Sequence, residues 1–470
     1  MTQDHMTAAK TSVASAPGGG RGRAVAILIR DAGLAAALVL GASLETRPAL
    51  AVPAFAIQTS QPCATCHVGA FGPQLTPQGR DFKLHGYLNS DSQDHGLPLA
   101  WVTQTSFTHT EAQRPGGAAP GFRANDNIAL DSVAGYYAGK ITPEVGGFIK
   151  FRYNPVRQQA QLGSVDIRDV REGELFGKDA LWGLTVNNSP TVQDPWNSTP
   201  WWGFPYVRSS LAPTPVAAPL VNGGLGQRVA GAGFYMLWND LLYLEGDGYK
   251  GLDSESLRTV GQMPINGSDR TTAFLPYARL AVIRDWQSHH VEVGAFALSA
   301  DVIPGRNQTF GVKTSKTDTA LDATYQYITD PTRVTSDRLS AHATYIHETA
   351  TMGPSPAQTL THELLEHTLD TTRFDISYSF AATVTPSIQY FRTTATTDIR
   401  YWGTPNGSPN SNGMIFEVAY VPWGKPDAPF PNVNVRLTAQ YVSYFTFNGT
   451  ASNAHNNNNF FFGFQTAFAF

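Results

Sequence analysis

The chain has almost no cysteine: Cys63 and Cys66 are the only two in 470 residues. That excludes a disulfide-stapled framework and leaves no spare thiol to compete with this pair. Charge is also scarce, at 15% of residues where a quarter is usual. The formal net charge is −4 and no basic block stands out, which excludes nucleic acid as a partner. No apolar run is long enough to cross a bilayer as a helix. After residue 98 no helix-period pattern of useful length occurs. Walker, nucleophile-elbow, H-E-x-x-H and dinucleotide fingerprints are all missing.

What is there begins with Cys63-Ala64-Thr65-Cys66-His67. It reads C-x-x-C-H, the attachment pattern of a c-type haem. Two thiols spaced by three can each add to one vinyl group, and the following imidazole can serve as proximal iron ligand. A redox dithiol would want a βαβ context and no histidine, and a zinc site would want two more ligands nearby. The expectation is one covalent haem c, attached at Cys63 and Cys66, with His67 on the iron.

Residues 1–51 read as an export signal. A polar stretch with Lys10, Arg21, Arg23 and Arg30 precedes the apolar run 33–44, and Ala49-Leu50-Ala51 matches an A-x-A cleavage site. Residues 52–98 form a small haem segment. Thr76-Pro77 marks a helix start and Gly86 its stop, which would put Phe82 and Leu84 near the haem edge. Roughly 45 residues have little core of their own, so this unit is expected to borrow walls from the rest of the chain. All six methionines lie outside it, which excludes a local Met ligand. His85 is the first candidate for the distal position and His95 the next, with His109 or His290 reaching in from the later region. The plain alternative for His85 is a surface residue at a helix end.

Residues 99–470 change character. Segments of about ten residues alternate in polarity between Gly, Asn, Pro and Asp clusters. In 433–445, Val433, Val435, Leu437, Ala439 and Tyr441 oppose Asn434, Arg436, Thr438 and Gln440. In 321–327, Leu321, Ala323, Tyr325 and Tyr327 oppose Asp322, Thr324 and Gln326. Segment 373–380 repeats the pattern, and the chain closes on a strand with Phe462, Phe464, Phe468 and Phe470 on one face. Such segments number roughly sixteen, the pattern of a transmembrane antiparallel barrel facing lipid outside and water inside. The fold class expected is all-β: an outer-membrane barrel with the helical haem segment plugging its lumen. The longest connection, 187–225, should lie outside the cell or fold into the lumen. Its Trp196, Trp201 and Trp202 fit either interface anchors or pore lining. Inward-facing Lys150, Arg152, Arg373 and Arg436 are candidate partners for haem propionates.

The haem segment resembles the fused monohaem cytochrome–porin family, whose best-known members are outer-membrane iron oxidases of iron-oxidising bacteria. The residues that carry the likeness are Phe55-Ala56, Cys63 to His67, Pro73-Gln-Leu-Thr-Pro77 and Gly79-Arg80-Asp-Phe82-Lys83-Leu84-His-Gly86-Tyr87. Asn188-Ser-Pro-Thr-Val-Gln-Asp-Pro-Trp196 and Trp202-Gly-Phe-Pro205 add to it. The resemblance implies a haem unit plugging a porin. It also implies electron uptake from extracellular Fe(II) and delivery to a periplasmic cytochrome c or copper protein. A porin with a structural plug or redox gate, or a conduit for another donor, would share the same parts.

Overall fold

The computed structural model describes residues 53–91, 97–262, 270–303, 313–353, 365–430 and 432–469. The expected export signal, His95 and Phe470 lie outside them. Sixteen strands of ten residues or more follow one another from Leu99–Thr110 to Asn459–Ala469, each antiparallel to its neighbours. A two-residue strand, Arg270–Thr271, adds to one edge. The ring closes because the first strand pairs with the last, from Ala100 opposite Ala469 to Thr110 opposite Asn459. Closure leaves no unpaired edge, so the backbone hydrogen bonds are satisfied without water.

Burial runs opposite to that of a soluble protein. Leu321 is 61% exposed while its neighbour Asp322 is 3% exposed. Phe374 and Phe416 likewise face outward, whereas Asp375 and Glu417 are buried. The period of two that sorts the side chains therefore sorts them between lipid and lumen. Phe462 and Phe464 share the outward face expected of the last strand. A closed barrel that is apolar outside and polar inside spans a membrane, and this architecture is that of outer-membrane proteins.

The connections differ at the two ends. At one end they include 141–144, 176–177, 239–241, 287–288 and 380–383, all short. At the other lie 111–126, 188–228 and 396–410, among the longest. Residues 53–91 sit in the short-turn mouth as three small helices: α1 (Pro53–Thr59), α2 (Cys63–Cys66) and α3 (Pro77–Leu84). Thr76 caps α3, its Oγ1 accepting from the Gly79 amide at 3.2 Å, with Pro77 in the first turn. Gly86 ends the segment's helix at φ +63°, as expected of a C-terminal stop. The segment touches lumen residues around the ring. Gln74 Nε2 donates to Ser377 Oγ (3.0 Å), Tyr87 Oη to Asp166 Oδ2 (2.7 Å) and Arg80 Nη1 to Gln326 Oε1 (2.6 Å). From the wall, Tyr235 Oη donates to the Leu84 carbonyl (2.7 Å).

Candidate functional site

Cys63 and Cys66 occupy one helical turn, which puts both on the same side of α2. The turn is held from two directions. Within the segment, the Thr76 amide donates to the Cys66 carbonyl at 3.0 Å. Gly79 brings α3 so close that a Cβ there would lie 2.2 Å from the Cys66 oxygen. From the barrel, the Ala64 amide donates to the Gly424 carbonyl at 2.9 Å. Asn434 Nδ2 donates to Cys63 Sγ (3.2 Å) and to the Ala70 carbonyl (2.8 Å). Arg338 Nη1 donates to the carbonyls of Ala64 (2.9 Å) and His67 (3.1 Å).

Both thiols are unpaired. Burial pushes Cys63 up, and it pushes Cys66 up to about 11. Burial likewise lowers His67 to about 4, with the carbonyls of Gly72 and Gln74 working the other way. The imidazole is thus neutral, the state that ligates a metal, and its buried Nδ1 has no hydrogen-bond partner. Two protonated thiols three apart and a neutral imidazole beside them fit the attachment chemistry of a c-type haem. Among the described residues no three His, Cys, Asp or Glu side chains converge as a separate metal site.

His85 is placed elsewhere. It follows the last residue of α3, while Cys66 meets the first turn of that helix. Its Nδ1 faces Asp81 Oδ1 (3.2 Å) and its Nε2 faces Glu172 Oε1 (3.0 Å). The Asp81 hydrogen bond leads in raising it to about 9. It lines an open cleft of about 470 Å³ with Leu88, Glu144, Arg171 and Glu172. His85 is therefore a carboxylate-bound cation at the rim, and the structure does not bring it to His67. His109 pairs with Asp126 near the long-loop end (2.7 Å), and His290 faces Asp285 (3.0 Å). Phe82 packs on Phe55 and Tyr87, with ring centroids 5.1 and 5.8 Å away, and Leu84 packs on the barrel wall beside Val170.

A second element lies in the lumen. Residues 188–228 enter from the long-loop end and bond to the wall all the way across. Ser209 Oγ donates to Asp131 (2.6 Å), and Gln389 Nε2 donates to the Phe204 carbonyl (3.2 Å). The amides of Leu220 and Val221 donate to Glu348 (2.7 Å) and Asp318 (2.6 Å). Trp196 is 3% exposed, with the Arg80 guanidinium 3.6 Å over its ring, so it is lumen packing rather than an interface anchor. Lys83 ties the two internal elements together. Its Nζ donates to the carbonyls of Val192 (2.7 Å) and Asp194 (2.6 Å) and to Asn197 Oδ1 (2.6 Å). Burial presses Lys83 down to about 7. Sequence reading missed Lys83, Arg338 and Asn434, since their partners lie roughly 110 to 370 residues away.

No family model matches the chain, and no curated protein matches it. Solved structures do resemble it in outline. The OmpF porin of Salmonella typhi, in complex with daunomycin, is 11% identical over 79% of this chain and 97% of its own, at TM-score 0.43. The anion-selective porin of Comamonas acidovorans is 8% identical over 80% of this chain and 99% of its own, also at 0.43. The outer-membrane protein OmpT of Vibrio cholerae is 10% identical over 79% and 96%, at 0.40. These are likenesses of barrels and carry nothing further about activity.

Proposed function

We propose that the chain is an outer-membrane electron-transfer protein holding one covalent haem c through Cys63 and Cys66, with His67 on the iron. It takes one electron from extracellular Fe(II) and passes it to a periplasmic cytochrome c or copper protein. The observation that carries the reading is the seating of the C-x-x-C-H turn, with neutral thiols and a neutral imidazole, inside the mouth of a closed barrel. Bound there, the haem supplies a one-electron iron couple. Each Fe(II) becomes Fe(III) outside, and the single electron ends on the periplasmic carrier. Residues of the chain hold that arrangement: Asn434 and Gly424 fix the Cys63 side of the turn, and Gly79 lets α3 press on Cys66. Residues 53–91 and 188–228 bond to lumen residues, and as a plug they would keep ions from following the electron.

A second reading is a porin whose plug acts as a redox gate. It is favoured by the Lys83 contact, where one side chain makes three hydrogen bonds from plug to inner loop. The test is anaerobic. Haem-loaded protein in detergent is oxidised, Fe(II) is added, and the α-band of the reduced haem is followed. Its rapid appearance supports the conduit. Reduction by dithionite but not by Fe(II) removes iron as donor. Channel conductance that changes with redox state supports the gate.

A further inference from the structure

Five arginines are buried among the described residues: Arg80, Arg168, Arg279, Arg338 and Arg436. Four have a carboxylate within reach. Arg168 meets Asp166 (2.8 Å), Arg436 meets Glu417 (2.6 Å), Arg279 meets Asp322 (2.8 Å), and Arg80 lies 3.9 Å from Asp285. Arg338, 5% exposed, has none among the described residues within 4.0 Å. Its Nη1 and Nη2 donate only to carbonyls, those of Ala64, His67 and Val334, and its buried Nε has no partner. A guanidinium taken out of water without an anion is costly, far beyond what neutral carbonyls return. This one sits on the haem-attachment turn, bonded to the residue after Cys63 and to His67 itself.

We infer that Arg338 of the barrel wall is the counter-ion of a haem propionate, so that the barrel and not the small N-terminal segment supplies the cation that binds the cofactor's carboxylate. The inference rests on the haem reading above. It selects Arg338 over Arg436, which Glu417 already neutralises. Guanidinium suits a carboxylate because it offers two parallel donors, which an ammonium does not. The charge also has an electronic consequence. The oxidised haem carries one more positive charge than the reduced one, so a cation held at its edge favours reduction.

The test uses full-length protein matured in cells that attach c-type haem. Covalent haem is first scored on a denaturing gel for wild type, Arg338→Gln and Arg338→Lys. Reduction potentials are then measured by optical redox titration from acid to alkaline pH, and resonance Raman reports the propionate bending mode. The prediction is a lower potential in Arg338→Gln with a new pH-dependent step, as the unpaired propionate begins to titrate. Arg338→Lys should recover most of the potential but leave the propionate mode shifted, since one point charge replaces a two-donor fork. A role confined to capping the Ala64 and His67 carbonyls predicts the wild-type potential, pH profile and Raman mode in haem-loaded variants, and that result overturns the inference. Should Arg338→Gln not fold, an unshifted propionate mode in Arg338→Lys overturns it equally. Wild type without covalent haem would remove the proposed function as well, whereas haem-loaded variants unchanged from wild type remove this inference alone.

Discussion

Replacing Lys83 by Met should loosen residues 53–91 from the inner loop while leaving the barrel whole. Met keeps the length of the side chain and removes three donors. The Val192 carbonyl keeps a partner, because Trp202 Nε1 also donates to it at 2.9 Å. The Asp194 carbonyl keeps the Asn197 amide, at 3.3 Å, so only Asn197 Oδ1 loses its donor, and Asn197 stays fixed by its own bond to the Pro73 carbonyl at 2.7 Å. One buried acceptor left bare costs about 1–3 kcal/mol, offset in part by the ammonium no longer held away from water, for a net of about 1–2 kcal/mol. The strand ladder makes no use of Lys83, so that loss is local. Hydrogen exchange read by mass spectrometry is the assay. Peptides covering 71–91 and 188–205 should exchange roughly 5- to 30-fold faster in Lys83→Met, the equivalent of that net cost. Strand peptides such as 314–328 should not change. Unchanged exchange in 71–91 and 188–205 would refute the idea that Lys83 joins the two elements.

Other perturbations follow from the same contacts. Gly79→Ala places a Cβ 2.2 Å from the Cys66 carbonyl, so α3 must retreat from the turn; covalent haem per barrel, scored by haem stain, should fall well below wild type. Tyr87→Phe removes the donor to Asp166 inside the Arg168 pair and should cost about 1.5–3 kcal/mol of local stability, read as faster exchange in 84–91. His85 is held as a cation by Asp81 and titrates near 9 rather than 6.5. A raised pKa means that its stabilisation is full below about pH 6.5 and is lost as pH rises through about 9. Exchange in 84–91 should therefore quicken across that window, and His85→Gln should flatten the profile. Cys63→Ser and Cys66→Ser should each leave a single-linked haem, and the double variant none, with heat-resistant barrel mobility on gels preserved throughout.

The barrel was legible because a strand between lipid and lumen writes its environment into every second residue. Leu321 and Asp322 announce their faces without knowing their neighbours. The α3 helix was legible for the same local reason, since Thr76, Pro77 and Gly86 state its start and stop. The inward course of 188–228 was not, because its anchors are barrel residues such as Asp131, Glu348 and Gln389, and no local signal marks them. Trp196 shows the limit: an aromatic in a polar loop reads equally as interface anchor or lumen packing until Arg80 is found over it. Proximity in sequence to His67 made His85 the first candidate for a distal ligand. The length of α3 and the two carboxylates at its end place it at the rim instead. The C-x-x-C-H turn was visible as a motif, but the wall residues that hold it, Asn434 and Arg338, lie 371 and 275 residues beyond Cys63.

The most direct measurement of the central claim is made across a membrane. The haem-loaded protein is reconstituted into sealed vesicles that trap an oxidised soluble cytochrome c and an Fe(II)-specific chelator dye, and Fe(II) is added outside without oxygen. The account predicts that the trapped cytochrome becomes reduced while the dye stays colourless, because the electron crosses and the ion does not. Dye coloration without haem-dependent reduction would contradict it and make the protein an iron-permeable pore. An unreduced cytochrome in vesicles whose haem is dithionite-reducible would contradict it from the other side.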